Sequence, residues 1–247
     1  MDTPNRPFGL SCTGTARDSG CLLSIDRISL GRSKFSSPRP DRSAGGFRLN
    51  VYCIGQGGPT VVLEAGLRDS LESWSRVQPG IAGFSRVCSY DRAGYGYSDP
   101  GPMPRTADRI ASELHAALRS AGETPPYVLL GHSSGGYCIR VFNGKYSDEV
   151  AGLLFVDATQ EDQYRLLPRA WVEGGAAMRR RAQRQAFWAP LYVGLGIARL
   201  QLRMEGREAP PLILQSKYLR ARASEFQNIE LSAEQARTAD HIRDYSR

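Results

Sequence analysis

Gly131-His132-Ser133-Ser134-Gly135 is the stretch on which the reading of this chain turns. The apolar run Tyr127-Val128-Leu129-Leu130 precedes it, and a helix-compatible run, Gly136 to Asn143, follows. Strand, G-x-S-x-G, then helix is the layout of a nucleophile elbow. Such a turn lifts one serine hydroxyl above a parallel sheet and aims backbone N–H groups at a single point. Register selects the serine. Ser133 has glycine two residues before and two residues after it, whereas Ser134 is framed by His132 and Gly136. A side chain at either glycine would collide with the neighbouring strand and helix.

The chain of 247 residues carries a net charge of +7. That length suits one large α/β domain, or one domain with an insertion. The charge is uneven: residues 1–46 carry net +3, residues 47–159 net −1 and residues 160–247 net +5. The segment with the serine turn is therefore not basic. No basic stripe interleaved with stacking aromatics occurs, which argues against nucleic acid as a partner. Five cysteines have no regular spacing, and Cys53, Cys88 and Cys138 read as reduced core residues. Three scattered histidines offer no recognisable zinc spacing. The longest apolar run, Phe187 to Ala198, is broken by Pro190, Gly194 and Gly196, too short and interrupted to span a bilayer. With no signal-peptide pattern at the start, a cytoplasmic protein is expected.

Along the chain, residues 1–46 are rich in Ser, Arg, Gly and Pro and are expected to form a disordered leader. Phe47 to Ile54 alternates as a half-buried strand at a sheet margin, and Thr60-Val-Val-Leu63 reads as a strand buried on both faces. Phe84 to Tyr90 is the next strand, followed by a long loop, Asp91 to Pro100. Thr106 caps a helix whose apolar face carries Ile110, Leu114 and Leu118, with His115 off that line as a surface residue and Gly122 as the stop. Gly152 to Val156 reads as another buried strand, ending at Asp157. Alternating strands and helices predict an α/β fold with a mainly parallel sheet, helices on both faces, and function at the carboxyl ends of the strands. Leu67, Ser133 and Asp157 fall at those ends.

Four blocks then carry a family resemblance. They are Val61-Val-Leu-Glu-Ala-Gly66, Tyr90 to Pro100, Gly131-His-Ser-Ser-Gly-Gly136 and Leu154-Phe-Val-Asp157. In this order they resemble the α/β-hydrolase fold, in its serine-hydrolase branch with a helical cap. The expected layout is a leader at 1–46, a hydrolase core at 47–163 and a helical cap region from 164 to 247. The resemblance implies that Ser133 is the nucleophile of an acyl transfer, and that the N–H groups of Leu67 and Ser134 form the oxyanion hole. Gly66 would let the backbone approach, and Tyr95 and Tyr97 would touch substrate. A serine at the turn argues against the dehalogenases and epoxide hydrolases of this fold, which use an aspartate there. No metal or cofactor is implied, and the partner is a small-molecule acyl substrate.

The family order is Ser, then acid, then His. After residue 157 no strand–acid or strand–His pattern is found, so the chain is expected to stop before the last two strands. That would leave an unpaired apolar sheet edge through which copies could associate. Asp157 is the candidate acid, with a capping role as the alternative. His241, the only histidine after Ser133, is the candidate base, although it lies in a helical pattern from Ser232 to Tyr245. His132 is expected to turn away from the Ser133 hydroxyl and to support packing or the oxyanion. Arg179-Arg180-Arg181 and Arg184, ahead of Phe187-Trp188, fit a membrane-surface helix or a solvated basic face. Two functional readings follow. One is a serine hydrolase cleaving an ester or related acyl bond. The other is a catalytically incomplete fragment that only binds a small apolar acyl ligand.

Overall fold

The computed structural model describes residues 42–43, 46–166, 168–204 and 214–239. Its centre is a sheet of five strands: β1 (Val51–Ile54), β2 (Thr60–Glu64), β3 (Val87–Tyr90), β4 (Tyr127–His132) and β5 (Val150–Val156). The order across the sheet is β1-β3-β2-β4-β5. β1 pairs antiparallel with β3, and the other neighbours are parallel. The expected strand from Phe47 is divided. Arg48–Leu49 pairs with Arg42–Ser43, so paired backbone begins inside the stretch expected as leader, whose residues 1–41 lie outside the described residues.

Side chains alternate across the pleat, and this alternation builds two cores. Val62, Leu129, Cys88 and Tyr90 face one cluster, shared with α1 (Ala107–Ser120), α2 (Gly135–Lys145) and a later helix, α6 (Ile229–Thr238). Leu63, Leu130 and Val87 face the other, with Trp74 and Ala65. Thr106 caps α1 as its sequence implies, its hydroxyl accepting the Arg109 N–H at 3.4 Å. Between β5 and α6 in the sequence run α3 (Arg169–Gly194), α4 (Ile197–Met204) and α5 (Ser216–Gln227). Among the described residues no helix is long and apolar enough to cross a membrane.

Three expectations change. β5 is not buried on both faces: Leu154, Phe155 and Val156 are 52%, 37% and 39% exposed, because among the described residues no strand flanks β5 on its far side. His115 is not a simple surface residue. Its ring stacks on Tyr146 with centroids 3.8 Å apart, and Nε2 lies 3.1 Å from Glu149, tying α1 to the turn before β5. Cys53 and Cys88 are not reduced. They stand directly opposite each other on β1 and β3 and form a disulfide, while Cys138 is free and buried. Register brings them together, a relation that spacing in sequence does not reveal. Glu123 lies within 4.8 Å of both sulfurs, but the S–S bond occupies the thiolates a metal would need.

The disulfide closes a loop of 35 residues. Chain entropy alone makes that worth about 3–4 kcal/mol. Reduction is therefore expected to lower the denaturant midpoint, and Cys53→Ser should do the same and abolish the effect of reductant. An unchanged midpoint on reduction would count against the bond.

Candidate active site

β4 ends at His132, and the chain turns at once into α2. Ser133 sits in that turn with φ +50°, a conformation that strains a side-chain-bearing residue by about 1–3 kcal/mol. Its carbonyl accepts N–H bonds from Gly136 at 3.0 Å and Thr159 at 2.9 Å, so both α2 and the segment after β5 hold it. The two glycines of the motif meet each other. A Cβ on Gly131 would lie 3.0 Å from the Gly135 carbonyl carbon, and one on Gly135 would lie 2.7 Å from the Glu64 oxygen. Side chains there would push α2 off β2 and β4.

The loop after β2 lies against this turn. A Cβ on Gly66 would come within 3.2 Å of the Ser133 Cβ and 3.1 Å of His132 Nδ1 and an Asp69 oxygen. Leu67 and Ser134 both line one small cavity, together with Arg92, Tyr137, Cys138 and Glu225. Ser134 also stands at the N-terminus of α2, where unsatisfied N–H groups favour negative charge. Its own hydroxyl is buried without a partner.

A buried ion network fixes that loop. Arg92 is 3% exposed and Glu64 fully buried; the guanidinium bonds Glu64 at 2.5 and 2.7 Å and Glu225 of α5 at 2.8 Å. It also donates to the Ala65 carbonyl and, at 3.5 Å, to that of Gly66. Tyr90 donates its hydroxyl to Glu64. Burial works against the Arg92 cation, but Glu64 and Glu225 outweigh it and hold its pKa well above the ordinary value. Burial likewise pushes the neighbouring Cys138 thiol up, so it stays protonated. Sequence reading passed over this cluster. Its one local signal is a Glu and an Arg placed where buried strands end.

The remaining candidates are placed as follows. His132 is half-buried, with Nδ1 3.7 Å from Asp69 and Trp74 edge-on at 6.4 Å. Asp157 follows β5 directly with φ +44°. Tyr95 is fully buried, packed edge-on against Tyr218 of α5 at 5.1 Å, so it supports the helix above it. Tyr97 is 43% exposed, its N–H bonded to Asp91 at 3.1 Å. His241 lies outside the described residues. Arg68, Ser133 and Asp157 are the described non-glycine residues with positive φ, and each follows a parallel strand: β2, β4 or β5. Backbone strain is thus gathered at the carboxyl edge of the sheet.

A family model described as alpha/beta hydrolase fold matches residues 59–230. The protein YqjL of Bacillus subtilis (strain 168) is 33% identical over 108 residues, 44% of this chain and 43% of that protein. The (lyso)-N-acylphosphatidylethanolamine lipase of Homo sapiens is 27% identical over 128 residues, 48% of this chain and 37% of the lipase. The chain spans less than half the length of the curated relatives it matches. Among solved structures, the haloalkane dehalogenase DatA from Agrobacterium tumefaciens C58 superposes with a TM-score of 0.61 at 17% identity, covering 83% of this chain and 75% of that one. That likeness concerns the fold alone.

Removing one partner of a buried ion network leaves the others uncompensated. Arg92→Met is expected to destabilise the protein by about 3–5 kcal/mol, read from denaturant unfolding. A loss below about 1 kcal/mol, the range of an exposed pair, would mean that the network does not hold the loop.

Proposed function

The chain belongs to the alpha/beta hydrolase fold family, and on that premise we propose that it is a serine hydrolase cleaving an ester or related acyl bond through Ser133. The observation that carries this reading is the strained Ser133 turn with the Gly66–Leu67 backbone packed beside it. Ser133 Oγ attacks the acyl carbon, the carbonyl π electrons move to oxygen, and the N–H groups of Leu67 and Ser134 receive the oxyanion. Stabilisation of this kind is worth about 3–4 kcal/mol per donor. The hydroxyl proton passes to a histidine base and then to the leaving group; water repeats the cycle on the acyl-enzyme. His241 takes the part of base and Asp157 that of the orienting acid. The backbone bond from Thr159 to Ser133, at 2.9 Å, supports the placing of Asp157 near the turn. The name of the human relative, a lipase, agrees with acyl-bond cleavage.

A second reading, ligand binding without turnover, has one observation in its favour. His132, adjacent to Ser133, already faces Asp69, with Nδ1 3.7 Å from its carboxylate. A serine without a base is a weak nucleophile.

A fluorophosphonate probe separates the two, because it reacts with an activated serine. Labelling of the intact chain that Ser133→Ala abolishes is the expected result. A folded protein that resists the probe would leave the binding reading in its place.

A further inference from the structure

Beside the oxyanion loop lies a cavity of about 260 Å³, lined by Arg68, Arg181 and Arg222 with Met178, Ala182, Gln185 and Phe226. Three arginines from three elements line it, and among the described residues no carboxylate does. Arg68 comes from the loop after β2, Arg181 from α3 and Arg222 from α5. Arg222 is held in place rather than free. One Nη donates to Gln185 at 2.5 Å, its guanidinium stands 5.7 Å from the Tyr218 ring, and its Nε is buried with no hydrogen-bond partner. Tyr218 in turn donates its hydroxyl to the Arg68 carbonyl at 3.3 Å.

A solvated basic face does not account for this arrangement. On the same helix Arg179 pairs with Glu230 at 3.3 Å, whereas Arg68, Arg181 and Arg222 have no carboxylate partner among the described residues. Three like charges around one cavity repel each other until an anion enters, and planar guanidinium donors suit carboxylate and phosphate oxygens. Met178, Ala182 and Phe226 add an apolar wall for a short hydrocarbon stem. Arg68 is the residue next to Leu67 and two from Gly66, whose added Cβ would lie 3.2 Å from that of Ser133.

We propose that this cavity is an anion subsite, holding a carboxylate or phosphate carried by the substrate at the end remote from the bond to be cleaved. The inference deepens the serine-hydrolase reading, since it defines the substrate class as anionic esters. The binding itself does not depend on turnover.

The test uses the full chain with Ser133→Ala, so that nothing is consumed. Titration calorimetry measures monomethyl glutarate, neutral dimethyl glutarate and inorganic phosphate separately. The monoester is expected to bind about tenfold more tightly than the diester, and R181Q/R222Q to abolish that preference. Phosphate binding lost in the same variant would assign the subsite to phosphate, and loss confined to the monoester would assign it to carboxylate. Arg184→Gln, on α3 outside the cavity, should leave all three unchanged. Equal weakening by Arg184→Gln would reveal general electrostatic attraction and overturn the proposal, as would equal affinity for monoester and diester. Thermal melts of each variant check folding; Arg181 is exposed and Arg222 half-buried, so both variants are expected to fold. Anion binding without fluorophosphonate labelling would sink the hydrolase reading and uphold the subsite. Labelling without anion binding would do the reverse.

Discussion

One buried cation, Arg92, organises the carboxyl edge of the sheet. Arg92 leaves the end of β3 and enters a region where solvation is gone, so its charge must be met by protein atoms. Glu64 at the end of β2 and Glu225 on α5 meet it, and carbonyls of Ala65 and Gly66 take the remaining donors. Each partner belongs to a different part of the chain. The network therefore ties the strand ends, the loop beside Ser133 and helix α5 into one unit. A buried network of this kind contributes little net stability compared with an apolar core. What it does contribute is position, because neither Glu64 nor Glu225 can move without stranding a charge.

Position matters because the loop it fixes lies within van der Waals reach of the serine turn. Gly66 permits that approach, and Gly131 and Gly135 permit α2 to lie directly on the ends of β2 and β4. Close packing of backbone on backbone leaves little room for the turn to relax. The positive φ of Ser133 is therefore maintained by its surroundings, with Gly136 and Thr159 both bonded to its carbonyl. The same edge of the sheet holds the strained Arg68 and Asp157. Loops that emerge from parallel strands share one side of the sheet, so strain placed there by three separate loops converges on one small region.

Local patterns made much of this legible. The continuous apolar run of Val61, Val62 and Leu63, the Thr106 cap and the glycine spacing around Ser133 are short-range signals, and each maps onto an element. Pairings between distant residues left no such trace. Arg92 and Glu225 are 133 residues apart, and no periodicity links them. Cys53 and Cys88 are joined by strand register, which depends on β1 folding back against β3. The run Gly152 to Val156 looks buried because it is apolar, yet burial depends on what lies beside it, and β5 is the last strand described on its side of the sheet. Tyr95 reads as a loop aromatic open to a ligand; α5 covers it, and nothing in the loop sequence announces that helix.

Helix α5 links these themes. Along it, Tyr218 packs on Tyr95 and bonds the Arg68 carbonyl, Arg222 lines the basic cavity, and Glu225 closes the ion network beside the loop after β2. The spacing 218, 222, 225 places all three on one helical face. A shift of α5 along its axis would alter the Arg68 loop, the charge around Arg92 and the shape of the cavity together. Coupling of this kind follows from rigid packing, since Gly94 would place a Cβ only 2.6 Å from that of Ala221 and leaves the helix no closer approach. The helix therefore sets where the cavity lies relative to Ser133. On the proposed reading, this interface rather than the serine turn itself would set the distance between a substrate's anionic end and its scissile bond.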